Sequence, residues 1–297
     1  MNERKLYESL WDRSRLLFSD DDRAKLKKAT IAICGLGGIG CIIPEMLVRT
    51  GVGHFKLADP GLYAPTDLGR QLYATTKTLG RNKAVVAKER LLDINPYCDV
   101  EAYTDGAQKE NIFKILKGTD ILCDQSDAPS QIIVQCRAAK KMGVPIISAA
   151  RSGFPGKRWM IEARVWDFKR KPETQTREES NGWPTHNLTW EELTKDVLNK
   201  SDEENLRQRE QKIREEILNG SPASFGNVSQ DYLIEQLLDD LFFRKAICAP
   251  ISNLAGILSS TEVIKLLLGW KTTTYKLNML DGEIHEMQEE TWSRLYK

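Results

Sequence analysis

Apolar and polar positions repeat with two different periods along the first half of the chain. ATIAIC at 29–34 is a short β-rich run that ends in glycines. CIIPEMLVRTG at 41–51 then repeats apolar residues at helical spacing until Gly51 closes it. HFKLAD at 54–59 reads as a second strand, with Asp59 at its carboxyl end. A helix is expected over about 83–94, a third strand in CDVEAYTD, a short helix over 112–116 and a fourth strand in DILCD at 120–124. A helix from about 129 to 142 leads into a fifth strand, PIISAA. Strand and helix alternate at the spacing of βαβ units. The fold class that follows is α/β, a mainly parallel, doubly wound sheet with helices on both faces.

Ahead of the first strand, residues 5–28 read as helical and polar, with Leu10, Trp11, Leu16, Leu17 and Phe18 as the apolar positions. After Arg164 the alternation stops, and residues from about 167 to 227 are rich in Lys, Glu, Asn and Thr. Thr189 with Glu192, and Ser201 with Glu204, match the capping box that opens a helix. A further helix after Ser229 presents Tyr232, Leu233, Leu237, Leu241 and Phe242 as packing residues. The chain then returns to apolar helix over 253–268 and to a strand pair, TYKLNMLDG and EIHEMQEE, joined at Asp281-Gly282. The expected organisation is an N-terminal helical segment (1–28), an α/β domain (29–166), a polar helical insertion or lid (167–245) and a C-terminal helix with strands completing the α/β domain (246–297).

Composition narrows the function classes. The 41% hydrophobic and 29% charged content is that of a folded globular chain. Its 43 basic and 42 acidic side chains leave a formal net charge of +1, so no global field draws in nucleic acid or a membrane surface. Apolar stretches of about 5–7 residues fall short of the roughly 18 that cross a bilayer. The N-terminal MNERKLYESLWDR is charged and lacks the apolar core of a secretory signal, so the expected location is cytoplasmic. Cys34, Cys41, Cys98, Cys123, Cys136 and Cys248 include no Cys-x-x-Cys pair, and most lie in apolar segments, which points to buried reduced thiols. His54, His186 and His285 are too widely spaced to suggest a structural zinc site.

The candidate chemistry gathers where the predicted strands end. Gly35, Gly37, Gly38 and Gly40 lie between the first strand and its helix, where missing side chains let phosphate oxygens approach a helix N-terminus. Asp59 follows the last of them by 19 residues, the place from which a carboxylate accepts hydrogen bonds from a ribose. Asp67, Arg70 and Gln71 come just after it, Lys83 opens the next helix, and Asp127 sits just past the fourth strand. A dinucleotide site holds only a pyrophosphate and does not call for two cations and a further carboxylate. A triphosphate attacked at its α-phosphorus does: cations offset the phosphate charge, and an acid holds magnesium by one or two oxygens.

These motifs resemble the ThiF/MoeB/HesA family, the bacterial relatives of the ubiquitin-activating enzymes. The matching stretches are GLGGIG at 35–40, GVGHFKLAD at 51–59, LGRQ at 68–71, GRNKA at 80–84, INP at 94–96, DQSD at 124–127 and APISNLAGILSSTEVIKLLLG at 249–269. They cover about 9–166 and 246–287, most of the chain apart from the insertion. The resemblance implies a Rossmann-like fold and an ATP- and Mg2+-dependent adenylyltransferase. It would activate the C-terminal carboxylate of a ubiquitin-like or sulfur-carrier protein, or of a ribosomally made precursor peptide. It implies that Asp59 holds the ribose, that Arg70, Gln71 and Lys83 hold the phosphates with Asp67 beside them, and that Asp127 holds the metal. Arg15, in DRSR, matches an arginine that members project into the neighbouring subunit's site, so a homodimer is implied.

The chain also departs from that pattern. Gly61 stands where the family usually has a second acid, Asp67 where it has Asn, and Ala128 where it has Asn after the metal-holding acid. Asp67 near phosphates is repulsive unless it faces a cation or a metal. The zinc-binding cysteine pairs of many relatives are missing. Cys248 lies near the region where thioester-forming relatives carry a cysteine, and its position is read mainly as packing. Rival readings are activation of a modified tRNA nucleoside, a non-catalytic nucleotide-binding module and an NAD-dependent oxidoreductase.

Overall fold

The computed structural model describes residues 1–127, 129–154, 158–170, 249–272, 275–278 and 284–286. One eight-stranded sheet runs through them in the order β3-β2-β1-β4-β5-β6-β7-β8. Its strands are β1 (Thr30–Cys34), β2 (His54–Ala58), β3 (Asp99–Tyr103), β4 (Ile121–Asp124), β5 (Ile146–Phe154), β6 (Arg158–Trp166), β7 (Tyr275–Asn278) and β8 (Ile284–Glu286). The first five pair in parallel, as the βαβ alternation predicts. The helices are α1 (Glu3–Trp11), α2 (Asp20–Lys28), α3 (Ile42–Arg49), α4 (Lys83–Ile94), α5 (Ile112–Leu116), α6 (Pro129–Met142) and α7 (Ala249–Leu268).

β1 is central and buried on both faces, and its side chains divide accordingly. Ile31 and Ile33 enter the larger core with Leu26, Leu47, Leu91 and Val263. Ala32 and Cys34 face the opposite core, which Ile112, Ile115 and Ile132 complete from α5 and α6. Period-two alternation in a strand covered by helices on both sides produces this division. Strand order reverses between β1 and β4, and doubly wound sheets bind ligands in the crevice beyond that point.

Three features go beyond the expectations. Residues 5–28 are helical as expected, but in separate pieces. α1 ends at Trp11, a single 3-10 turn covers Asp12–Ser14, and Ser19 with Asp22 forms a capping box that starts α2 afresh. The break turns Phe18 inward, where it stacks on Trp270 at 6.1 Å. The sheet also acquires β6, which the charged RWMIEARVW pattern did not single out. It runs antiparallel to β5 from Ile146↔Trp166 to Phe154↔Arg158, and β7 and β8 follow antiparallel beyond it. Third, the last long helix exceeds the expected apolar stretch. α7 is long and apolar enough, at a mean hydropathy of 1.3, to cross a bilayer by length and composition. More than half of that window is buried, against α3, β5 and β6, so in this fold α7 is a core helix. The expected insertion beyond residue 170, the Asp281-Gly282 turn and Cys248 lie outside the described residues.

Candidate active site

The site grows from the ends of β1, β2 and β4. Gly35 ends β1 with φ 91°, a conformation that side chains rarely adopt. Its N–H donates to the Ala58 carbonyl at 2.8 Å. A Cβ on Gly35 would lie 2.5 Å from the Gln125 carbonyl oxygen, and one on Gly40 would lie 1.8 Å from the Gly35 carbonyl oxygen. Backbone therefore passes where side chains would stand. A Cβ at Gly38 would meet Ser252 Oγ at 3.2 Å and the Arg70 carbonyl oxygen at 3.4 Å, whereas Gly37 has only Gln71 Nε2 at 4.0 Å. The turn is packed from below and open beside Gln71.

Asp59, at the end of β2, is clamped to this turn. Its Oδ2 accepts from the Leu36 N–H at 2.6 Å and its Oδ1 from the Gly61 N–H at 2.7 Å. Asn82 joins it to α4: the Asn82 amide donates to the Asp59 carbonyl at 3.1 Å, while its Oδ1 caps the helix by accepting from Ala84 and Val85. The Lys83 N–H donates to the Gly61 carbonyl at 2.9 Å. The first residue of α4 is thereby fixed beside the ribose candidate.

Asp67 lies between the two cations. It is 5% exposed. Its Oδ1 accepts from Gln71 Nε2 at 2.6 Å and faces the Arg70 guanidinium at 3.1 Å. Its Oδ2 accepts from the Ala64 N–H at 3.0 Å and faces Lys83 Nζ at 3.6 Å. The repulsion expected of an acid near phosphates is offset because two cations face this one. Arg70 also donates to the Thr66 carbonyl at 2.8 Å. Gln71 is buried, and its Oε1 has no partner. Beneath Lys83 lies the Tyr63 ring at 5.7 Å; burial raises the Tyr63 hydroxyl well above its ordinary range, so the ring stays neutral.

Asp127 is exposed, two residues past the Gln125 that covers Gly35. The loop that carries it is anchored by Gln125 N–H donating to Cys34, Ser126 N–H to Asp124 and Gln135 to Ser126 Oγ. Arg15 lies on the link between α1 and α2, where it pairs with Asp12 at 3.4 Å. Leu16 and Leu17 beside it are 103% and 69% exposed.

The structure thus gathers the glycine turn, Asp59, Asp67, Arg70, Gln71 and Lys83 into one continuous set of contacts, sets Asp127 on the adjoining loop and leaves Arg15 on the α1–α2 link. Sequence reading missed three supports. Asn82 had a signal, an N-cap residue immediately before a helix. Ser252, whose Oγ donates to the Arg70 carbonyl from 182 residues away, had none. Nor did Cys41, whose sulfur accepts from the Leu72 N–H at 3.4 Å. The five described cysteines are buried and free, as expected. Burial pushes the Cys41 thiol up to about 11, which makes it a packing group and not a nucleophile at neutral pH.

Comparison with known proteins adds an independent view. The sequence model of the ThiF family matches residues 11–295. A sulfur carrier protein adenylyltransferase from Thermus thermophilus is 34% identical over 137 residues, 46% of this chain and 50% of that protein. A tRNA threonylcarbamoyladenosine dehydratase from Bacillus subtilis is 34% identical over 143 residues, 47% of this chain and 55% of its own length. The chain therefore spans about half the length of these curated relatives. Among solved structures, E. coli MccB with selenomethionine MccA has a TM-score of 0.62 at 20% identity, covering 94% of this chain and 71% of that one. That likeness is one of fold.

Proposed function

The chain belongs to the ThiF family, and on that premise we propose that it adenylates a carboxylate of a small carrier protein or peptide, at the expense of ATP. The observation that carries the reading is the pair of cations, Arg70 and Lys83, set on the two oxygens of Asp67 beside a glycine turn and a clamped Asp59. Relatives that act on sulfur carriers, and a fold shared with MccB, whose solved structures include one with MccA, support this substrate class.

The chemistry follows from positioning and charge. A carboxylate oxygen of the substrate attacks the α-phosphorus of ATP. An acyl–oxygen–phosphorus bond forms, the bond to the β-phosphate bridge breaks, and pyrophosphate leaves with the electron pair. Lys83 and Arg70 offset charge on the phosphates. Asp59 accepts from ribose hydroxyls with the lone pairs that its two backbone bonds leave over. Gln71 places its Nε2 by the open side of Gly37, and its buried Oε1 is left without a partner. No described cluster of three or more His, Cys, Asp or Glu would hold a metal on protein ligands alone. The donor set fits magnesium in its other habit, one carboxylate plus substrate oxygens, and Asp127 is that carboxylate. Bound there, the ion supplies positive charge to the phosphates. The partner's Arg15 completes the site in a homodimer.

Incorporation of labelled pyrophosphate into ATP tests the proposal, with a Gly-Gly-ending carrier, a precursor peptide and bulk tRNA as alternative acids. Exchange with the carrier or the peptide, lost in Asp127→Ala, is the expected result. Exchange with tRNA alone would favour the second reading, which the Bacillus subtilis relative supports. No exchange with any acid would overturn adenylation.

A further inference from the structure

We propose that Asp67 is a positioning residue: its buried carboxylate is the fixed counter-ion that sets Lys83 and Arg70 for the triphosphate, and it touches no atom of the nucleotide. The proposal rests on the ATP-binding reading above and deepens it.

Protein groups already engage both oxygens of this carboxylate. A carboxylate offers about four lone-pair positions. Here hydrogen bonds from Gln71 Nε2 and the Ala64 N–H take one on each oxygen, and Arg70 and Lys83 stand as ion-pair partners of Oδ1 and Oδ2 at 3.1 and 3.6 Å. The backbone of the same residue organises the rest of the turn, its carbonyl accepting from the Arg70 and Gln71 N–H groups at 3.1 and 2.9 Å. One residue therefore places every phosphate-binding candidate between 64 and 71, and reaches across to α4 for Lys83.

The charge itself has work that an amide would not do. The Lys83 and Arg70 side chains are only 15% and 30% exposed, so their mutual repulsion is poorly screened by water. An anion between them removes that repulsion and fixes both directions, because charged hydrogen bonds and ion pairs hold their geometry better than neutral ones. Asp67 is the only ion-pair partner that Lys83 has among the described residues. Gly61 stands close by, a Cβ there lying 3.4 Å from Lys83 Cε and Nζ, and it carries no side chain.

A fixed anion close to bound phosphates has a cost: it weakens ground-state binding while improving orientation for the transition state. The two effects separate in kinetics. Asp67→Asn keeps the shape and removes the charge: its Oδ1 still accepts from the Ala64 N–H, and its Nδ2 donates to Gln71 once that amide turns its unpaired Oε1 inward. We expect the KM for ATP to fall about threefold to tenfold, and kcat for pyrophosphate exchange to fall on the order of tenfold or more. Unchanged constants, or a raised KM at unchanged kcat, would overturn the proposal, the second because it marks direct contact with the nucleotide. Calorimetric titration with inorganic pyrophosphate gives a readout free of activity: the Asp67→Asn protein binds it more tightly than wild type, and equal or weaker binding overturns the claim. That arm stands even if wild type shows no exchange, an outcome that would count against adenylation alone. If Asp67→Asn does not fold, Asp67→Glu carries the test, since it keeps the charge and moves the cations. Its KM stays within about twofold of wild type while kcat falls; a KM raised tenfold refutes the counter-ion role.

Discussion

At the scale of single residues, the glycine turn is where sequence and structure agree for a reason that can be broken. The Gly35 and Gly40 positions were legible because a glycine cluster between a strand and a helix has few other uses. Their separate tasks were not legible, because those depend on what lies across the turn. Gly40 has the Gly35 carbonyl oxygen 1.8 Å from where its Cβ would be, and Gly35 is itself pinned by Ala58 and Gln125. Gly40→Ala cannot be relieved by moving a flexible side chain. It should cost about 3 kcal/mol in a denaturant melt and abolish ATP binding in the folded remainder. The role of Asp67 was hidden for a similar reason. Beside Arg70 in sequence it reads as a liability, and only the fold brings Lys83 to its other oxygen.

Among elements, five parallel strands and their helices could be read from periodicity, whereas β6 and the break between α1 and α2 could not. β6 carries Arg158, Glu162 and Arg164 in a nine-residue run, so its alternation is obscured, and its pairing with β5 is a tertiary fact. The α1–α2 break is set by the Ser19 capping box within a polar stretch whose composition is uniform. The joint between α3 and α4 makes a test at this scale. Glu45 of α3 is buried and accepts from Arg90 of α4 at 3.0 Å and from Arg49 at 2.7 Å. Burial pushes its carboxyl up, but the bonds from Arg90 and Arg49 outweigh that and hold it below its ordinary 4.5. A carboxyl lowered on folding adds stability above its unfolded value, and that stability is lost as pH falls through the folded one. Glu45→Gln should therefore be less stable than wild type at pH 7 by about 1–2 kcal/mol, a discounted figure because both arginines reach solvent. The gap should narrow as pH falls below 4.5 toward the folded value, as urea midpoints across that range will check.

For the molecule as a whole, the central expectation from sequence was opposite charges converging at the rim of a parallel sheet. That expectation named Lys83, Arg70 and Asp127: Lys83 and Arg70 meet on Asp67, next to the turn that Asp59 clamps, and Asp127 stands exposed on the loop after β4. Arg15 lies on the α1–α2 link, paired with Asp12, and Leu16 and Leu17 stand exposed beside it, an arrangement that suits contact with a second copy. If the partner's Arg15 completes each site, Arg15→Ala and Asp127→Ala chains are each inactive alone. Mixed, they should regain about a quarter of wild-type exchange, from the one intact site in each hybrid dimer. No recovery would place Arg15 in its own chain's site or outside catalysis. The most direct test of the whole account needs no substrate acid. Calorimetric titration of wild type and Lys83→Ala with Mg-ATP, AMP and NADH should give one ATP site per chain, a loss of about tenfold or more for ATP in the variant and little change for AMP. Tight NADH binding with none for ATP, or ATP affinity indifferent to Lys83, would contradict it.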